Sequence, residues 1–144
     1  MRNTILSDEI IDKLCITAHK KAKEMKIDIS FAIYDENGLP LLFRRYGEAP
    51  VISTKLVPGK AYTSSVMFMP TQKLAKLCTD GGPLMGLENK DPKITLISGG
   101  YPLFVEEKCV GGIGVGGGRN NEDNIIAEHV IKVFNEEIYK TGEK

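Results

Sequence analysis

Net charge is the first thing this sequence lacks: nineteen Lys and Arg balance nineteen Asp and Glu. A neutral chain has no field to gather phosphate backbones, so nucleic acid is not expected as a partner. No window is apolar for long enough to cross a bilayer, so no membrane partner is expected either. Cysteine is scarce. Cys15, Cys78 and Cys109 lie far apart with no C-x-x-C pair, which points to reduced thiols rather than a disulfide framework. The opening Met1 to Ser7 carries one arginine and no apolar signal segment, so a cytoplasmic location is expected. Histidine is scarcer still. His19 and His129 each lack a second ligand at metal-site spacing, which argues against a closed structural zinc site. No G-x-S-x-G elbow occurs, and Ser53, Ser64 and Ser65 have no partnered histidine in sequence. No catalytic constellation is legible, and a non-enzymatic role is expected.

What is present is ordinary for a globular protein: 144 residues, 42% hydrophobic and 26% charged. One domain spanning 1–144 is expected. Ser7 suits a helix cap, with Asp8 and Glu9 in the first turn. Ile11, Leu14, Cys15, Ala18, Ala22 and Met25 then form one apolar stripe, in a helix ending near Lys26. Ile29 to Tyr34 and Leu41 to Arg45 read as strands joined at Asn37-Gly38 by a tight hairpin. Pro58 suggests a helix starting there and running to Met67, with a further turn before it as an option. Thr71 to Leu77 reads as a short helix. Three more strands are expected. They are Ile94 to Ile97, Leu103 to Val105 after a sharp turn at Gly99-Gly100-Tyr101-Pro102, and Cys109 to Val115 after a turn at Glu106 to Lys108. Asn120 or Asn121 should cap a last helix with Ile126, Val130, Val133 and Phe134 on its apolar side. Hairpins dominate, so the sheet should be largely antiparallel, an α/β (α+β) arrangement with the first and last helices on one face.

Gly112-Ile113-Gly114-Val115-Gly116-Gly117 satisfies G-x-G-x-x-G. The dinucleotide fingerprint, however, belongs to the first turn of a βαβ unit, and here only one helix remains. A strand bare of side chains, open to close approach by a helix or a ligand, is the better reading. A lone histidine can still serve haem iron, because the porphyrin supplies four nitrogens itself. His19 borders an apolar stripe and has Lys20 and Lys23 nearby to meet propionates, and His129 is the second choice, although each is more often simply a half-exposed helix residue. Met67 and Met69 could offer sulfur, though methionines in such a run are more often core. Arg44 could pair with a carboxylate or simply face solvent.

Gly99-Gly100-Tyr101-Pro102-Leu103, Val110 through Gly118, Glu122-Asp123 and Ala127 together resemble the signature of the GlcG/HbpS/PduO-C-terminal family. That signature reads roughly G-G-x-P-[IL], a hairpin, G-x-[IV]-G-V-S-G-G, then E-x-D-x-x-[IL]-A. Phe31 to Asp35 with Gly38 is similar to the family's first hairpin, and Lys60-Ala61 to its K-A helix motif. The likeness covers nearly the whole chain. Gly116 stands where the family usually has serine, and Pro58 interrupts the helix ahead of Lys60.

The resemblance implies a profilin-like fold, a central antiparallel sheet with flanking helices, and small subunits that often form homo-oligomers. It implies haem as a cofactor for some members. It also links branches to cobalamin-dependent diol breakdown and to glycolate oxidation. Candidate ligand residues are then His19, as the metal ligand, with Arg44, Lys60, Gly99, Gly100, Pro102, Gly116 and Gly117. A pocket is expected where the Gly99-Gly100 turn meets the Gly116 to Gly118 loop. The leading reading is a haem-binding accessory protein. Alternatives are a module for a small hydroxy acid or diol-pathway metabolite, favoured by a polar pocket near Arg44, Lys60 and Gly117, and a non-catalytic assembly protein.

Overall fold

The first helix, α1 (Asp8–Glu24), forms as its caps dictate. The Ile10 amide donates to Ser7 Oγ at 3.3 Å, and two acidic residues occupy the first turn. It stops where Lys26 turns to φ 60°. The computed structural model describes residues 5–119 and 121–139. After α1 come β1 (Ser30–Asp35), β2 (Pro40–Arg45), α2 (Ser53–Met67), α3 (Thr71–Cys78), the single turn α4 (Leu87–Lys90), β3 (Gly100–Val105), β4 (Lys108–Gly116) and α5 (Glu122–Val133). A π-helical stretch, Phe134–Tyr139, continues α5.

The four strands form one sheet in the order β2-β1-β4-β3, every pair antiparallel. Alternation decides which side chains go where. Phe31 and Ile33 of β1 and Ile113 and Val115 of β4 point to one face. There they meet Leu14 and Ala18 of α1 and Ile126 and Val130 of α5. The first and last helices thus share that face, as their stripes require. The opposite face carries Ser30 and Ala32 and is covered by α2. A third apolar cluster joins Leu74 and Cys78 of α3 to Ile94, with Met67, Met69, Leu84 and Leu87 packed around it.

Several local expectations are corrected. No strand runs over Ile94 to Ile97. Ile94 is buried among apolar neighbours, while the Thr95 amide goes to Thr63 Oγ1 at 2.9 Å and the Ile97 amide to Thr95 Oγ1 at 3.3 Å. Side chains satisfy this backbone, so it needs no ladder. Gly99-Gly100-Tyr101-Pro102 is not a sharp turn. Gly100 opens β3, and Pro102 is tolerated because β3 is an edge strand.

The helix α2 begins at Ser53, well ahead of Pro58, which sits inside it. The missing proline amide costs one helical bond, but Ser53, Val57, Lys60 and Ala61 are all buried and hold the helix on both sides of the proline. In the first hairpin only Gly38 takes positive φ, at 76°; Asn37 does not. The turn is longer than two residues because the Asp35 carboxylate collects the amides of Asn37 and Leu39 at 2.8 and 3.0 Å. Asn121 precedes α5 without a capping bond from its side chain, and Asn120 lies outside the described residues.

Candidate functional site

The alternate glycines of β4 are explained by a helix. Gly112, Gly114 and Gly116 all point toward α2, where side chains would have no room. A β-carbon on Gly112 would fall 2.5 Å from Ser64 Oγ, and one on Gly114 2.9 Å from the Ala61 amide nitrogen. Backbone therefore packs on backbone across this face. The N-terminus of α5 is closed by its own acids. Asp123 Oδ1 accepts from the Gly118 amide at 2.8 Å, and Glu122 Oε1 from the Arg119 amide at 2.6 Å. Two amides of the loop leading into α5 are thus taken by the helix's own acids, whose charge also opposes a pyrophosphate there.

Lys60 is a long charged side chain buried on that face, only 2% exposed. Its Nζ donates to the Val115 carbonyl at 2.8 Å and to Asp123 Oδ2 at 3.4 Å. Burial lowers its pKa, and Asp123 works against that shift. Gly99 and Gly116 flank the ammonium: a β-carbon on Gly99 would stand 2.9 Å from Nζ. The structure thus brings Lys60, Gly99, Gly100 and Gly116 together around one buried charge, with the lysine itself filling the space between the glycine segments. Pro102 is buried in β3 opposite Gly112. Gly117, at φ 122°, lies on a different groove of ≈ 370 Å³ beside Asp28, Glu48 and Arg119.

His19 and Arg44 meet elsewhere. They line an open groove of ≈ 620 Å³ between α1 and the end of β2, with Ile16, Lys20, Lys23 and Tyr46. The helical period puts residues 16, 19, 20 and 23 on one side of α1. The His19 ring stacks on Tyr46, with centroids 3.9 Å apart and planes 16° from parallel. The Arg44 guanidinium carbon lies 4.7 Å from the same Tyr46 ring centroid. Burial lowers the His19 pKa below its ordinary 6.5, and Lys23 and Arg44 push the same way. The imidazole is therefore neutral at neutral pH, the form that can ligate a metal. Cys15, one turn earlier, is pushed up to about 11 by burial and Asp12, so it stays a thiol rather than a thiolate ligand.

His129 lies half-buried on α5, and Met67 and Met69 belong to the third apolar cluster. Arg44, Lys60 and Gly117 do not converge on one polar pocket: Lys60 is buried, and the other two line separate grooves. Tyr46 escaped the sequence reading. The signal was its place two residues after Arg44 on extended chain, which puts both on one side. No group of three or more His, Cys, Asp or Glu that could hold a metal ion occurs among the described residues. No helix there is long and apolar enough to cross a membrane.

Comparison with known proteins gives consistent matches. A family model described as haem degrading protein, HbpS-like, matches residues 6–132. The corrinoid adenosyltransferase PduO of Citrobacter freundii is 33% identical over 131 residues, 90% of this chain. The match spans 39% of that enzyme's length. Among solved structures, a complex of PduOC with haem superposes with a TM-score of 0.85 at 30% identity, covering 90% of this chain and 95% of that one. A double mutant of Streptomyces reticuli HbpS gives 0.82 at 28% identity, covering 92% and 89%.

Proposed function

The chain belongs to the HbpS-like family, and from that premise we propose that it binds haem in the groove between α1 and β2, with His19 as axial ligand. The observation that carries this reading is the donor set of the groove. One neutral, half-buried imidazole stands beside the exposed side chain of Ile16 and the buried ring of Tyr46. Lys20, Lys23 and Arg44 surround it and outnumber the single acid of the groove, Glu24. This suits a flat apolar macrocycle with two carboxylates. Haem, when bound, would supply its iron; His19 would offer a ring nitrogen, Ile16 and Tyr46 an apolar wall, and Lys20, Lys23 and Arg44 cations for the propionates. The haem complex of PduOC supports haem as the ligand.

Arg44 touches the ligand in this reading. Lys60, Gly99, Gly100, Pro102, Gly116 and Gly117 act one step removed, fixing the sheet on which the groove is built. The protein works as an accessory that holds haem, as one cytoplasmic domain spanning 1–144, assembled as a homo-oligomer. The groove supports assembly because it is open on one side, and a second subunit could cover the exposed porphyrin face.

Titration of the purified protein with haemin, followed in the Soret region, tests the reading. The wild type should saturate. His19→Ala should shift the band and weaken binding, while the lost stack on Tyr46 should lower stability by only about 0.5–1.5 kcal/mol and leave the fold intact. An unchanged spectrum in that variant would remove His19 from the site, and no saturable binding by the wild type would remove haem.

A further inference from the structure

A second cleft, of ≈ 650 Å³, opens far from His19 in the chain's architecture, between the turn of the first hairpin, the outer side of α2 and the segment 92–95. It is lined by Tyr34, Leu56, Pro58, Tyr62 and Ile94, with Lys55 and Lys93 also on its wall. We propose that this cleft binds a small organic anion with a flat apolar body, such as an aromatic carboxylate.

Three features of the cleft set that class. The first is its surface, which combines two tyrosine rings with proline and aliphatic side chains drawn from three separate parts of the chain. Ligand sites have this mix of apolar wall and few polar groups. The second is that the Tyr62 ring is held in place. Its hydroxyl donates to Asp91 Oδ2, and the other Asp91 oxygen accepts from the Lys93 amide at 3.0 Å. A ring fixed at its far end presents a constant face for stacking. The third is the charge. Lys93 Nζ stands 5.7 Å from the Tyr62 ring centroid, and Lys55 makes no ion pair among the described residues. Asp91 stays ionised, with its oxygens turned to the Tyr62 hydroxyl and the Lys93 amide, and offsets one of the two ammonium groups; the net charge left for an incoming carboxylate is that of the second, Lys55.

The proline inside α2 belongs to this cleft. Pro58 stands on the wall, between the buried residues Val57 and Lys60 that grip the sheet. The side of α2 turned to the sheet is thus occupied with packing, while the other carries a rigid apolar ring into the cleft. The occupant is separate from haem, so either site can fail without the other.

Isotope-labelled protein titrated with benzoate provides the test, read from backbone amide shifts. Amides of Gly59, Tyr62 and Thr95 should move saturably while those of His19 and Tyr46 stay. Benzyl alcohol, with the same ring and no charge, should bind about tenfold more weakly, and acetate more weakly again. The double variant Lys55→Glu/Lys93→Glu, at two exposed positions, should keep a dispersed spectrum and lose the benzoate response. If it does not fold, Lys93→Gln and the salt dependence of the wild-type response carry the same test. Absence of saturable shifts, equal binding of benzyl alcohol, or shifts centred on His19 would each overturn the proposal.

Discussion

The ring of Tyr46 lies almost parallel to the imidazole of His19, with 3.9 Å between centroids, and ties α1 to the residue that follows β2. Tyr46 is 7% exposed, and its hydroxyl donates to the Cys15 carbonyl at 3.4 Å. The tyrosine is anchored at one end to the helix that carries the histidine and presses on that histidine with its face. The imidazole plane is set by this contact and not by α1 alone.

Tyr46→Phe should therefore keep the stack, lose one hydrogen bond, and leave the Soret band of bound haem in place. Tyr46→Ala should weaken haem binding about tenfold, the scale of a lost aromatic pair. It also removes a buried ring at a cost of about 3 kcal/mol, so thermal melting must accompany the titration. Identical haem spectra and affinities in the two variants would show that Tyr46 only fills space.

Haem affinity should depend on pH with a definite sign. The folded His19 titrates below 6.5, so between that lowered value and 6.5 the folded protein binds fewer protons than the unfolded chain. The stability this histidine contributes is complete above 6.5 and is lost as pH falls through the lowered value. Ligation follows the same curve, because only the neutral ring donates to iron. Haemin titrations should give a constant affinity near neutrality and a decline only below 6.5. A decline already complete at 6.5 would place the ligand elsewhere.

The buried Lys60–Asp123 pair should be asymmetric when broken. Asp123→Asn leaves an ammonium at 2% exposure without its counter-charge and should cost about 3 kcal/mol. Lys60→Met leaves a carboxylate that keeps the Gly118 amide, and should cost less, about 1–3 kcal/mol for the freed Val115 carbonyl. The Lys60 pKa is lowered from 10.5, so between that lowered value and 10.5 the unfolded chain binds the extra proton and stability rises with pH. The deficit of Asp123→Asn should shrink as pH rises, because a neutral amine needs no partner. Denaturant unfolding of both variants across alkaline pH checks the order and the sign.

Gly114→Ala should be more damaging than its size suggests. The added methyl meets the Ala61 backbone nitrogen at 2.9 Å, with Lys60 Cβ at 3.1 Å, and backbone cannot step aside. A loss of about 3 kcal/mol, the upper part of the overpacking range, is expected in chemical denaturation. A loss under half that would mean that α2 lifts from the sheet easily.

Periodic segments were legible and satisfied backbone was not. The stripe of α1, the first hairpin and the glycine-rich β4 were all readable, because burial on one face imposes a period on the sequence. Ile94 to Ile97 looked like a strand because its residue types favour one. Its amides instead find hydroxyls on Thr63 and Thr95, a choice that depends on α2 being alongside. The early start of α2 was hidden by Pro58, since the packing that overrides a proline lies across the sheet in β4. At the groove, His19 and Arg44 could each be suspected alone. Their meeting depends on how α1 crosses the end of β2, which no local pattern encodes.

The small-residue contact between α2 and the sheet also bears on synthesis. The platform that receives α2 consists of β1, made early, and β4, made near the end of the chain. Until β4 leaves the ribosome, α2 has no complete surface to dock on. Its waiting side carries Ser53, Ala61, Ser64, Ser65 and one lysine, with Val57 the only large apolar member. A side kept waiting with so little apolar surface has little to stick to. The apolar Tyr62, Val66 and Met67 of the same helix are covered by α3 and Ile94, which are made before β4, so the delay imposed by this topology carries a low risk of aggregation during translation.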